Sequence, residues 1–372
     1  MSSKTKTLND ERFMRMAVGL ARRGHGNVAP NPSVGCVIVK DGRVAGRGWT
    51  QPGGRPHAET EALLQAGEDA AGADVYVTLE PCAHHGKTPP CAEALIAANV
   101  GRVIIGTRDP DPRVDGGGID MLREAGIEVV EGVCERETTE VAAGFLHTVT
   151  DGRPMVTVKA ATTLDGRIAT STGASQWITG DISRATGHGM RARHDAIMVG
   201  GATTIADNPS LTCRLPGLDG ASPVRVVVCG SDDISLTHHL VVTASDIQTV
   251  FIVPEGNQLR SLENYSKAGV SVVEVAADSG GNVNVDAALR ALADRGVTRL
   301  MVEGGGRLIS AFLKADLVDR LVWFRAPSVI GGDGIPAVSA MGVQVLDGAA
   351  NFVKVSARPA GDDLVETYVR KH

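Results

Sequence analysis

Pro56-His57-Ala58-Glu59 and, further along, Glu80-Pro81-Cys82-Ala83-His84-His85-Gly86-Lys87-Thr88-Pro89-Pro90-Cys91 decide how the first half of the chain is read. One imidazole and two thiolates suit zinc. Three protein ligands leave the fourth tetrahedral position open to water, which a catalytic zinc requires. Zinc brings the pKa of such a water down to about 7. Glu59 is then better employed moving protons than closing the site. It can take a proton from the water and deliver it to a ring nitrogen and to departing ammonia. Taken singly, His57, Cys82 and Cys91 would read as unrelated, the cysteines as small buried hydrophobes. The combination, with a proline before each cysteine, points to a metal. Cys91 is expected to open a helix, where backbone N–H groups and the dipole lower a thiol's pKa. Cys36 lies in an apolar strand and reads as core, whereas Cys134, Cys213 and Cys229 show no partner pattern.

Outward from this site the pattern alternates strand and helix. Residues 8–22 carry Phe13, Met16 and Leu20 at helical spacing. Strands are expected at 34–39 and 43–49 across the turn Lys40-Asp41-Gly42, then at 75–79, 103–105 and 127–130, with helices at 58–65, 91–98 and 118–125. Asp151-Gly152-Arg153-Pro154 is turn-rich and marks a boundary. Beyond it strands are expected at 155–160, 196–199, 224–228, 250–253, 270–275, 300–302 and 320–324, and helices at 182–193, 286–295 and 307–317. Two α/β domains, 1–150 and 151–372, are the simplest organisation.

The 372 residues are too many for one ordinary core. Hydrophobic residues at 43% and charged residues at 22% give a normal globular balance, and aromatics at 3% leave core-building to Ala, Val, Leu and Ile. No apolar run is long enough to span a membrane, and the N-terminal stretch has no apolar signal region. Six cysteines in so long a chain do not make a disulfide scaffold. The expected location is the cytoplasm. A net charge of −6 disfavours a general nucleic-acid binder, yet a few arginines in one pocket suffice for a small phosphorylated substrate. The oligomeric state, a homo-oligomer included, is left open.

His-x-Glu followed by Pro-Cys-x-x-Cys is the signature of zinc deaminases, but here eight residues separate the cysteines. That long insert, Pro30-Asn31-Pro32-Ser33-Val34-Gly35 and the His57/Glu59 pair together resemble the bifunctional deaminase–reductases of riboflavin biosynthesis, the RibD type. The resemblance covers nearly the whole chain. It implies a cytidine-deaminase-like three-layer α/β/α domain followed by a dihydrofolate-reductase-like α/β domain. The first would bind Zn2+ and deaminate 2,5-diamino-6-ribosylamino-4(3H)-pyrimidinone 5′-phosphate. The second would reduce the ribosyl group to ribityl with NADPH. By resemblance Asn31 contacts the substrate of the first domain; His84, His85, Lys87 and Thr88 are expected near its phosphate from their charge and donor type.

In the second half, strand 300–302 runs into Glu303-Gly304-Gly305-Gly306-Arg307 and then a helix. Such glycines let N–H groups approach a phosphate, although a plain tight turn explains them equally and the spacing is not a Rossmann fingerprint. The resemblance implies that Ala161, Trp177, Thr203, Asp207, Ser231 and the run Gly305, Gly306, Arg307, Leu308, Ile309, Ser310 and Ala311 hold NADPH. It implies that Ser175, Arg191, Leu211, Arg214 and Glu303 hold the substrate. Arg191 and Arg214 suit phosphate because guanidinium forks match its oxygens. Lys159 and Asp207 are the candidates for proton or electrostatic help. Two departures stand out: Thr163 where serine is commoner, and Cys229-Gly230-Ser231 without the usual Asp-Ser. Three rival readings stay open here. One is a zinc deaminase of another heterocycle with an inactive reductase-like domain. Another is a binding module with structural zinc closed by His84 or His85. The third is a nucleic-acid editor, disfavoured by the acidic charge and scarce aromatics.

Overall fold

The computed structural model describes residues 3–86, 89–218, 220–230, 233–257 and 262–371. The chain divides into two units, Met1–Gly152 and Arg153–His372. The first contains α1 (Ser3–Ala21), β1 (Gly35–Lys40), β2 (Arg43–Trp49), α2 (Ala58–Ala66), β3 (Asp74–Leu79), α3 (Cys91–Ala97), β4 (Arg102–Thr107), α4 (Gly117–Glu124), β5 (Glu128–Val130) and α5 (Glu135–Asp151). Its sheet runs β2-β1-β3-β4-β5. β1 is antiparallel to both neighbours, while β3, β4 and β5 are parallel.

Side chains alternate across a strand, and here both faces are apolar. Cys36, Ile38, Val75, Val77, Val103 and Ile105 join Ala58, Ala62, Leu95, Ile119 and Leu122 of α2, α3 and α4 on one side. Val37, Val39, Tyr76 and Ile104 meet Phe13, Met14 and Ala17 of α1 on the other. Three layers follow from that two-sided pattern. The buried stripe of α1 is Phe13, Met14, Ala17, Val18 and Ala21, whereas Met16 is 37% exposed. The expected apolar face of this helix was therefore rotated by part of a turn.

The second unit contains β6 (Met155–Thr162), β7 (Arg167–Ala169), α6 (Asp181–Arg191), β8 (Ala196–Gly200), α7 (Gly201–Asp207), β9 (Val224–Val228), α8 (His239–Val242), β10 (Thr249–Pro254), α9 (Leu262–Lys267), β11 (Ser271–Val275), α10 (Val285–Ala293), β12 (Arg299–Val302), α11 (Gly306–Lys314), β13 (Arg320–Arg325), β14 (Ile335–Pro336), β15 (Phe352–Ala360) and β16 (Asp363–Arg370). The large sheet runs β11-β10-β9-β8-β12-β6-β13-β16-β15. It is parallel from β11 to β13. β16 and β15 then add an antiparallel edge. The centre of the sheet, where β6 lies between the late strands β12 and β13, is where the winding changes direction. Ligands of open α/β sheets bind beyond the carboxyl ends of strands at such points. Among the described residues no helix is long and apolar enough to cross a membrane.

Several elements were not expected from the sequence. α5 continues through Asp151 and ends at Gly152, whose φ of 68° needs the freedom of glycine. Its start, at Cys134 with φ 54°, lacks a Ser, Thr or Asp cap. β15 is exposed along nearly its whole length, so no buried face leaves an alternating signature. The short helix α7 lies directly after β8 in Gly-Gly-Ala-Thr-Thr, a poor helical composition.

Candidate active sites

In the first unit the site is set by how closely α2 lies on β2. Gly46 and Gly48 leave room for the helix backbone: a Cβ on Gly48 would fall 2.1 Å from the Ala58 carbonyl oxygen, and one on Gly46 2.1 Å from that of Ala62. His57 precedes α2 in extended conformation, and Glu59 lies in the first turn with 3% exposure. Cys82 follows β3, and Cys91 opens α3. The two cysteines are tied together where the Cys91 amide donates to Cys82 Sγ at 3.3 Å and the Ala92 amide to the Cys82 carbonyl at 3.2 Å.

One ligand atom each from His57, Cys82 and Cys91 lie within 4.8 Å of one another, the only such trio among the described residues. His57 Nδ1 is 3.3 Å from Cys91 Sγ and 3.7 Å from Cys82 Sγ. Tetrahedral zinc bonded to sulfur and imidazole nitrogen requires a separation of about 3.5 Å between those atoms. The residues therefore fit the metal.

Without metal the three groups share protons. The Cys82 thiol is brought down to about 4 by a hydrogen bond from Cys91, against its burial and with help from His57. The same bond pushes the Cys91 thiol up. The thiolate thus belongs first to Cys82, which gathers the donors, rather than to the helix-opening Cys91. Burial and the sulfur of Cys82 raise the Glu59 carboxyl to about 7, opposed by His57. A bound divalent cation would pull these groups towards their ionised forms.

Glu80, just before Pro81, was assigned no role from the sequence. Its buried carboxylate accepts the backbone N–H groups of Asp109, Gly116, Gly118 and Ile119 at 3.1–3.3 Å. It holds the segment leading into α4, while Cys82 follows two residues later. Asn31 packs against Gly54, where any Cβ would strike its side chain. Among the described residues His84 Nδ1 is buried without a hydrogen-bond partner. His85 pairs with Glu93 at the surface. Lys87 and Thr88 lie outside the described residues.

In the second unit two adjoining cavities of about 370 and 320 Å3 share Ser175, Trp177, Arg191, Thr203, Asp207, Arg214 and Glu303. Lys159, Ala161, Gly305 and Ile309 line the first and Leu211 the second. Their floor is an ion-pair network. Lys159 Nζ donates to Glu303 Oε1 at 3.0 Å and Arg191 Nε to Oε2 at 2.8 Å. Burial would raise the Glu303 carboxyl, but the two cations outweigh it and hold it at about 2. Desolvation holds the Asp207 carboxyl above its usual range. Gly304 and Gly305, with φ of 115° and 87°, bring the backbone to the cavity where α11 starts, a shape that fits a dinucleotide phosphate.

The residues of the run 305–311 are distributed over more than one surface. Gly305 and Ile309 face the cavity, Leu308 is buried in the core, and Arg307, Ser310 and Ala311 line a separate groove. Helical periodicity divides them. Gly306 packs under Pro336 and Ser339. Ser231 lies outside the described residues. Thr163 still supplies a hydroxyl, bonded to Asp165 Oδ1 and accepting from the Arg167 amide. Arg184 and His188 also line the cavity and were missed, although His188 stands one turn before Arg191 on α6.

Two family models cover the chain: the cytidine and deoxycytidylate deaminase zinc-binding region over residues 7–107 and the RibD C-terminal domain over 154–365. The riboflavin biosynthesis protein RibD of Aquifex aeolicus is 39% identical over 361 residues, 97% of this chain and 98% of the relative. Acinetobacter baumannii RibD superposes with a TM-score of 0.88 at 34% identity, covering 98% of this chain and all of that one. A diaminohydroxyphosphoribosylaminopyrimidine deaminase/5-amino-6-(5-phosphoribosylamino)uracil reductase from Thermotoga maritima gives 0.85 at 35% identity, covering 98% of this chain and 100% of that chain. Likeness that runs unbroken through both units, at such identities, makes this chain a member of the RibD family, bifunctional riboflavin-biosynthesis enzymes that join a zinc deaminase to an NADPH-dependent reductase.

Proposed function

We propose that the first unit hydrolyses the amino group from 2,5-diamino-6-ribosylamino-4(3H)-pyrimidinone 5′-phosphate and that the second reduces the ribosyl group of the product to ribityl. The observation that carries the reading is the His57–Cys82–Cys91 cluster with the buried Glu59 carboxyl beside it. Held by those three ligands, zinc supplies the Lewis acidity that makes water nucleophilic at neutral pH. Glu59 moves two protons: one passes from the water to the ring nitrogen and stays there, and the second passes from the new hydroxyl to the amino group, which departs as ammonia when the C–N bond breaks and the C=O forms. Asn31, beside the segment leading to His57, orients the pyrimidine, and His84, whose Nδ1 has no partner among the described residues, serves the ribose phosphate.

In the second unit NADPH supplies the hydride. Ala161, Trp177, Thr203, Asp207 and the glycines at the start of α11 position the cofactor, with Ser231 reserved for its adenosine side. Ser175, Leu211 and Glu303 shape the sugar site, and Arg191 and Arg214 grip the phosphate. Lys159 stabilises charge at the reacting nitrogen. Asp207, on the wall shared by the two cavities, supplies the proton. All six cysteines are free, which fits a reducing compartment, the cytoplasm.

The test is product analysis by mass spectrometry after the zinc-loaded protein meets the diaminopyrimidine phosphate. Without NADPH the product should carry oxygen in place of NH. With NADPH it should gain two further hydrogens. Unchanged substrate in both reactions overturns the proposal.

A further inference from the structure

We infer that His188 is a third ligand of the substrate phosphate in the reductase cavity, its Nδ1 holding the backbone of Arg214 and its Nε2–H left to the phosphate. The inference rests on the reading of Arg191 and Arg214 as the phosphate grip.

His188 and Arg191 lie three residues apart on α6, hence on one face, and both reach the segment that carries Arg214. Arg191 Nη1 donates to the Thr212 carbonyl at 3.0 Å. His188 Nδ1 lies 3.1 Å from that carbonyl and 3.3 Å from the Arg214 amide nitrogen. These two neighbours make opposite demands, because a carbonyl needs a donor and an amide an acceptor, and one ring nitrogen serves only one at a time. The Thr212 carbonyl is already satisfied by Arg191. Among the described residues the Arg214 amide has no acceptor other than His188. All groups are satisfied when Nδ1 is the acceptor and the proton sits on Nε2. Burial, Arg191 and Arg214 all lower the imidazole pKa, outweighing the Thr212 carbonyl and Glu303, so the ring stays neutral.

With Nδ1 turned to the 212–214 backbone, Nε2 lies across the ring. The imidazole lines the cavity together with Lys159, Arg184, Arg191, Asp207, Arg214 and Glu303. Among the described residues no protein acceptor pairs with Nε2, and the exposed Arg214 guanidinium has no acidic partner. Lys159 is already engaged by Glu303, while Arg191 gives Nε to Glu303 and Nη1 to the Thr212 carbonyl and keeps Nη2 for the phosphate. Such donors, gathered in one cavity, match an anion with several acceptor oxygens, and a phosphate monoester is that anion. The segment itself is held in an uncommon conformation: Leu211, just before Thr212, has φ 56°. His188 thus has a second task, keeping the Arg214 backbone in register.

Reductase kinetics on the full-length zinc-loaded protein test this, using the deaminated ribosylaminopyrimidine phosphate and its dephosphorylated counterpart. His188→Ala should raise KM for the phosphorylated substrate about tenfold or more, with the loss carried by KM rather than kcat. KM for NADPH should stay near the native value, which also reports an intact cavity. On the dephosphorylated substrate the penalty should vanish. His188→Asn keeps an acceptor for the Arg214 amide but drops the Nε2 donor, so it should recover only part of the loss. Arg214→Ala is run in parallel. If it raises KM for the phosphorylated substrate while His188→Ala does not, the inference falls and the phosphate grip stands. If neither variant distinguishes the two substrates, the grip itself is wrong. Equal penalties on both substrates in His188→Ala would make His188 something other than a phosphate ligand.

Discussion

Gly48→Ala should disable the deaminase while leaving the reductase intact. The added Cβ would sit 2.1 Å from the Ala58 carbonyl oxygen, 2.7 Å from the Ala62 amide nitrogen and 2.8 Å from Glu61 Cβ. Unbonded atoms rest about 3.5 Å apart, so α2 must retreat from β2 by about 1 Å. Two of the three obstacles are helix backbone and cannot swing aside. The retreating helix carries Glu59, and His57 stands at its start. Overpacking of this kind costs about 1–3 kcal/mol, roughly 3–10 °C of unfolding midpoint for a unit of this size. A displacement of about 1 Å in a positioned catalytic group costs about 100-fold in rate. Gly19→Ala is the control, because its Cβ meets nothing within 4 Å and alanine favours a helix by about 1 kcal/mol. Ammonia release and NADPH oxidation, each assayed with its own substrate on one preparation, separate the two units. Native deaminase rates in folded Gly48→Ala would refute the argument that glycine-mediated packing places the site.

Glu59→Gln preserves shape and should lower deamination by at least about 100-fold while zinc content, read by elemental analysis, stays at the native level. Removing the metal with a chelator should abolish ammonia release and spare NADPH oxidation, because no metal-binding trio was found outside His57, Cys82 and Cys91 among the described residues. Asp207→Ala should lose reductase turnover with deamination retained; equal loss of both activities would exclude its assigned role. Glu303→Gln strands Lys159 and Arg191 and should destabilise the second unit by about 3 kcal/mol at neutral pH. Its native carboxyl titrates at about 2, below the unfolded value of about 4.3. The stabilisation is therefore complete above the unfolded value and lost as pH falls towards the folded one. Calorimetry of both proteins should show their difference closing in acid.

Much of the fold was legible because its central strands are apolar on both faces. Runs such as Val75–Val77 and Val103–Ile105 announce a covered parallel sheet by composition alone. The exposed edge strand β15 and the uncapped α5 have no comparable signature, and their form depends on what they pack against. The metal cluster was legible because its members sit in two short segments with distinctive spacing. Cys36 is fully buried in the core, as its apolar strand suggested. The reductase cavity was not readable in that way. Lys159 and Glu303 meet across 144 residues and Arg191 and Glu303 across 112, so only the family resemblance brought them together. The run 305–311 likewise came from the resemblance, and helix geometry distributes its residues between a cavity, the core and a separate groove. The spacing from His188 to Arg191 carried a local signal that was available and unused.

Zinc K-edge X-ray absorption on the zinc-loaded protein probes the metal centre itself. One zinc per chain is expected, with two sulfur neighbours, one imidazole nitrogen and one light atom from solvent. A shell with a fourth protein side chain, or without both sulfurs, would contradict that expectation.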